Sequence, residues 1–195
     1  MIAETAFDIY RKNIAEAQAS ITKLRRSIHV NSLLRLAAIV GGGAALFMAV
    51  QSERLWLVFM LFFGVVVFFS GLVWRQSKLE ALKRADEDFL AVNQNELDIA
   101  AGKPNRYPDG TAFVDYRHPY SGDLDIFGPA SVFTLVNRCA TAQANRLLAT
   151  WLSAPADAET IVRRQQTAGE LADDIGWCQQ LQAKLWFNLH RSDDF

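Results

Sequence analysis

This chain lacks an excess of charge of either sign. Its 195 residues hold 20 Lys and Arg against 21 Asp and Glu, a net of −1. No overall attraction to nucleic acid follows from that balance. Cysteine is scarce: Cys139 and Cys178 are the two present, 39 positions apart. No CxxC pair or zinc-type spacing exists, so both read as reduced cytosolic thiols. The first 30 residues are charged and lack an apolar stretch before a small-residue cleavage site. A secretory signal is therefore not expected. No GxxxxGK[ST] occurs, and Gly41-Gly42-Gly43 has no lysine after it. That absence excludes ATP hydrolysis within this chain by the P-loop route.

Long apolar runs are what the chain does have. Leu36–Val50 carries no charge, Gln51-Ser52-Glu53-Arg54 interrupts it, and Leu55–Trp74 is again free of charge over 20 residues. About 20 apolar residues at ~1.5 Å each match a bilayer core. Trp56 and Trp74 stand near the two ends of the second run, where an aromatic belt would lie. The first run is shorter, and extending it through Leu33 and Leu34 takes in Arg35, which must then snorkel. Lys23, Arg25, Arg26 and Arg35 precede the pair, and Arg75, Lys78, Lys83 and Arg84 follow it. Basic flanks on both sides predict a hairpin with both termini cytoplasmic, in the inner (cytoplasmic) membrane.

Residues 3–30 show an apolar stripe of Phe7, Tyr10, Ile14, Ala17, Ile21, Leu24 and Ile28 at three- and four-residue steps. Residues 75–101 continue from the second run as a charged helix that Gly102 and Pro104 end. The two flanks are expected either to pair as a coiled-coil stalk or dimer contact, or to lie on anionic headgroups. Beyond Pro104 the pattern changes. Asp109-Gly110 signals a turn, and Thr111–Tyr116 and Leu124–Phe127 have strand-like composition. Ser131, Thr141 and Asp157 are placed to cap three helices, with Pro155 breaking the second; the third is read as extending through Trp177, Leu181, Leu185, Trp186 and Leu189.

The expected fold is mainly α. It comprises an amphipathic helix (1–32), a transmembrane hairpin (33–75, with spans 33–50 and 55–74) and a juxtamembrane helix (76–103). A short β-hairpin-like segment (104–129) and a helical bundle (130–195) follow. The apolar surface of the last helix predicts a packing partner beyond Phe195.

The stretch from Asp123 to Asp173 resembles the start of the core, or lever, domain of the MutS mismatch-repair family. The resemblance is carried by Asp123, Asp125, Ser131, Leu135, Arg138, Thr141, Arg146, Leu147, Leu148, Trp151, Leu152, Pro155, Ile161, Arg164, Glu170 and Leu171. It departs at Cys139, where the family usually has Thr, and at Ala144, where it has Gly. With the phrase His118–Gly128 and the preceding hairpin, the whole arrangement is similar to a membrane-anchored MutS-related group. The resemblance implies an incomplete core domain and a C-terminal ATPase domain, absent here, that would use ATP and Mg. It also implies homodimerisation through the cytoplasmic helices and missing domains, and DNA association in complete soluble relatives. No cofactor is expected in this chain itself. Residues 75–195 hold 13 basic against 17 acidic residues, so charge does not support DNA as a partner. The alternative reading is a membrane adaptor that binds a protein through its cytoplasmic helices.

Other constellations carry less. Asp123 and Asp125 on a strand would share one face with His118 nearby, but a structural metal site normally needs more ligands. Ser131, His118 and Asp123 could form a nucleophilic set, yet Ser131 lacks a GxSxG elbow and suits a helix cap better. Arg138, Arg146, Arg163 and Arg164 are the candidates for phosphate contact.

Overall fold

The computed structural model describes residues 2–52 and 54–190. Six α-helices account for most of it: α1 Ile2–Gln51, α2 Leu55–Ala100, α3 Val132–Val136, α4 Ala142–Ser153, α5 Ala158–Ala172 and α6 Ile175–Leu185. Short 3-10 helices occupy Thr111–Phe113 and Trp186–His190. The chain divides into two compact units, Gln18–Glu87 and the combination of Met1–Ala17 with Asp88–Phe195. Glu53, within the polar interruption, and Phe195 lie outside the described residues.

In the Gln18–Glu87 unit the two long helices run antiparallel. Neither Gly41-Gly42-Gly43 nor the junction between amphipathic flank and apolar run breaks α1. Gly42 is where the helices press closest: a Cβ there would stand 2.9 Å from the Val65 methyls. Ala17 and Ile21 of the N-terminal stripe are buried, as a narrow helix seam requires. Ser52 closes α1 by donating from both its N–H and its hydroxyl to the Ala49 carbonyl, and the Arg54 carbonyl accepts the first bond of α2.

In the other unit the main core is Val92, Tyr107, Ala140 and Trp186, with Ala183, Leu185 and Leu189 packed around it. Tyr107 and Trp186 meet edge to face at 5.3 Å. A second apolar knot joins Phe113, Phe127 and the fully buried Phe133, with centroids 5.6–6.1 Å apart. α3 packs on α4 and α5 on α6, while α5 buries no residue of its own.

Two expectations are corrected here. Among the described residues there is no strand. Thr111–Phe113 is a 3-10 helix, because the Asp109 carboxylate accepts the Thr111 N–H and Gly110 adopts φ +77°. Turns fill 119–125, where Asp125 takes φ 46°. The strand-like aromatics Phe113 and Phe127 serve the local knot rather than a ladder. The second correction concerns the extended third helix. It stops at Ala172 and restarts at Ile175, with Asp174 accepting the Trp177 N–H as a new cap.

Candidate functional site

The hairpin presents its large apolar side chains outward. The most apolar 18-residue window of each long helix is only 6% buried. Phe47, Met48, Phe59 and Phe63 are each about 70% exposed. A soluble core helix with such a window would hide it, because apolar area in water costs about 25 cal/mol per Å². Both helices are long and apolar enough to cross a bilayer.

Polar side chains mark one end of this apolar region. Asn31 is fully buried and donates both to the Leu72 carbonyl (3.0 Å) and to Gln76 Oε1 (2.9 Å). Gln76 passes the chain on to Glu80 at 2.7 Å. Arg35 stacks over Phe69 at 5.4 Å, while its buried Nε has no hydrogen-bond partner. The Lys78 ammonium stands 3.5 Å from the Trp74 ring centroid, a cation–π contact on the exposed side of the helix. Trp56 and Arg75 are exposed.

In the other unit the motif residues are mostly structural fastenings. Arg138 donates to both oxygens of Glu96, at 2.5 and 2.9 Å, and to the Leu135 and Asn137 carbonyls. It thus ties the C-terminal part of α2 to the segment after α3. Ser131 and Thr141 cap α3 and α4 by accepting the Thr134 and Ala144 N–H groups. Asp157 caps α5 through Thr160, and the hydrogen bonds from Thr160 hold its carboxyl below the usual range. Trp151 of α4 and Arg164 of α5 come together, the guanidinium 3.9 Å from the indole centroid across the Pro155 break. Ile161 and Glu170 are exposed on α5. Arg146 lines a cavity of about 270 Å³ with Pro108, Gly110, Phe113 and Asn145.

The catalytic and metal sets are not assembled. Asp123 and Asp125 share the wall of a 220 Å³ cavity with His118. Both His118 ring nitrogens are already engaged, Nε2 with the Ser153 carbonyl at 2.8 Å and Nδ1 with the Ser121 N–H at 3.2 Å. Ser131 spends its hydroxyl on the cap and on Thr134. Among the described residues no three His, Cys, Asp or Glu side chains converge.

Sequence reading overlooked a network of buried amides. Asn137, fully buried, donates to the Pro108 carbonyl and to Asn145 Oδ1 and accepts the Cys139 N–H, each at 2.8 Å. Asn105 bridges Asn95 to the Thr134 and Asn137 carbonyls. These amides satisfy loop backbone that has no ladder to join. Asn31 was similarly passed over, although it falls three residues after Ile28 on the apolar stripe. A polar residue on such a stripe was the available signal. Burial raises the Tyr10 and Tyr107 phenols, with the nearby Glu96 charge adding to both.

No family model, no curated protein and no solved structure matches the chain. The likeness to the MutS family therefore rests on the residues quoted above.

Proposed function

We propose that this chain is the membrane-anchoring, N-terminal part of a MutS-like protein. In this reading α1 and α2 cross the inner membrane as a hairpin with both termini in the cytoplasm. The residues from 130 onward begin a helical lever, whose motion is driven by a nucleotide-binding domain outside this chain. The observation that carries the anchor is the outward display of apolar side chains along both helices, with windows only 6% buried. Support for the lever comes from the MutS-like motif: Ser131, Thr141 and Asp157 cap successive helices, and Trp151 stacks on Arg164. DNA association, ATP use and dimerisation follow from the resemblance alone.

A second reading is a membrane adaptor whose helices bind a protein. It is favoured by the exposed apolar residues Leu147, Ile161, Val162, Trp177 and Leu181, which leave α4–α6 without full cover. One experiment separates the two. An antibody to residues 104–195 is used on the membrane fraction of source cells after alkaline carbonate extraction. A band well above 21.8 kDa is expected, and the full protein should then hydrolyse ATP. A band near 21.8 kDa rejects the ATPase-linked reading and leaves the adaptor. Release of the band by carbonate rejects the anchor.

A further inference from the structure

A cleft lies between the two helices of the Gln18–Glu87 unit, beyond the charge-free end of the hairpin. Arg25, Ile28, His29 and Ser32 of α1 and Glu80, Lys83 and Arg84 of α2 line its volume of about 580 Å³. The spacing explains the convergence. Residues 25, 28, 29 and 32 share one helix face, as do 80, 83 and 84.

Its depth suits a lipid headgroup. Ser32 precedes Leu36 by four residues, roughly 6 Å along the helix, and Glu80 follows Trp74 by six, roughly 9 Å. Arg25 and Arg84 lie roughly 15–17 Å out by the same rise. The polar layer of a bilayer leaflet is about 5–8 Å deep. Ser32 at the floor therefore falls at phosphate level and Glu80 at its outer edge, while Arg25 and Arg84 start roughly 8 Å further out and meet a headgroup only through their extended side chains.

The charge also fits. Arg25 and Lys83 share Glu87 at 3.5 and 3.1 Å, and Arg84 meets Glu80 at 3.7 Å. Three cations against two carboxylates leave one positive charge in excess, the complement of a single phosphodiester. The Arg25 and Arg84 pairs hold mostly exposed guanidinium groups, so little is lost when an anion competes for them. Ser32 and His29 add hydrogen-bonding groups to the lining.

We propose that this cleft binds the phosphate of an anionic phospholipid with a singly charged headgroup. The proposal rests on the membrane reading of the hairpin and adds a specific lipid to it.

The test uses the full chain with Trp56→Phe, reconstituted into phosphatidylcholine vesicles containing a minor share of phosphatidylglycerol. Either lipid carries brominated acyl chains, and quenching of Trp74 is read after subtracting a Trp74→Phe control. One basic residue at an anionic surface is worth about a fivefold preference. Phosphatidylglycerol should thus be enriched about fivefold around Trp74 in the native cleft. Arg25→Gln with Arg84→Gln leaves one cation against two carboxylates and should abolish the enrichment or turn it into exclusion. Lys23→Gln with Arg26→Gln removes equal charge from exposed positions outside the cleft and should leave it intact. No preference in the native cleft, or an equal loss in both variants, overturns the site. Abolition of the preference by soluble glycerol phosphate reassigns the cleft to a free phosphate and overturns the lipid assignment. Quenching by neither lipid rejects the membrane reading itself.

Discussion

Truncating Arg138 tests how the Asp88–Phe195 segment is held together. Its guanidinium makes four hydrogen bonds, two of them to Glu96, and the side chains are 25% and 15% exposed. Arg138→Ala strands a carboxylate that is mostly out of water. Such a loss costs roughly 3–5 kcal/mol when the pair is fully buried. The residual exposure admits water, so about 2–3 kcal/mol is expected here. In a chain of this size that lowers the thermal midpoint by roughly 4–12 °C. Glu96→Gln keeps one acceptor and should cost about 1–2 kcal/mol. The double change Arg138→Met with Glu96→Leu removes both charges and should lie within about 1–2 kcal/mol of the native chain. Near-ultraviolet circular dichroism of the full chain in detergent micelles reads the transition, since the Tyr107–Trp186 pair belongs to the same unit. A loss under about 1 kcal/mol for Arg138→Ala, or a double variant as costly as the two single ones together, would refute the reasoning.

Gly110→Ala should destabilise the same unit by about 2 kcal/mol or more, because φ is +77° and the new Cβ would meet Phe133 at 2.7 Å. Gly122→Ala, with nothing within 4 Å, is the thermal-melt control and should cost under about 1 kcal/mol. Asn137→Ala leaves the Pro108 carbonyl, Asn145 Oδ1 and the Cys139 N–H without their partner. It should cost about 3 kcal/mol and expose the 137–141 backbone to hydrogen exchange. Cys139 is held above the ordinary thiol range chiefly by burial, so less of it is thiolate at a given pH. In a Cys178→Ser background its alkylation rate should still climb with pH where free cysteine has levelled off. A plateau at the ordinary thiol pKa would contradict that placement.

The helical parts of the fold were legible because their causes are local. Charge-free runs, the three-and-four stripe, and Ser131, Thr141 and Asp157 ahead of apolar faces all act within one turn or one helix. The structure keeps each as a helix or a cap. The segment 104–129 misled because Thr111–Tyr116 has strand composition without a neighbouring strand to pair with. Asp109, Gly110 and the Phe113–Phe127–Phe133 knot then decide its path. The Arg138–Glu96 tie was unreadable for another reason. Its partners are 42 positions apart, and no local pattern pairs them. The same distance problem hid the amide network, since Asn137 and Pro108 meet only after folding.

The turn between α1 and α2 has a consequence for biogenesis. Only three residues separate Gln51 from Leu55, so a membrane hairpin of this form leaves little room for its spans to enter one after the other. A first helix entering alone would carry Asn31 toward the lipid without the Leu72 carbonyl and Gln76 that receive its amide. Asn31 stands at the polar end of the apolar region, so its amide would then be left to water and headgroups. On the membrane reading the two helices are expected to enter together, and a chain cut after Arg54 would lack the Leu72 and Gln76 groups that receive the Asn31 amide.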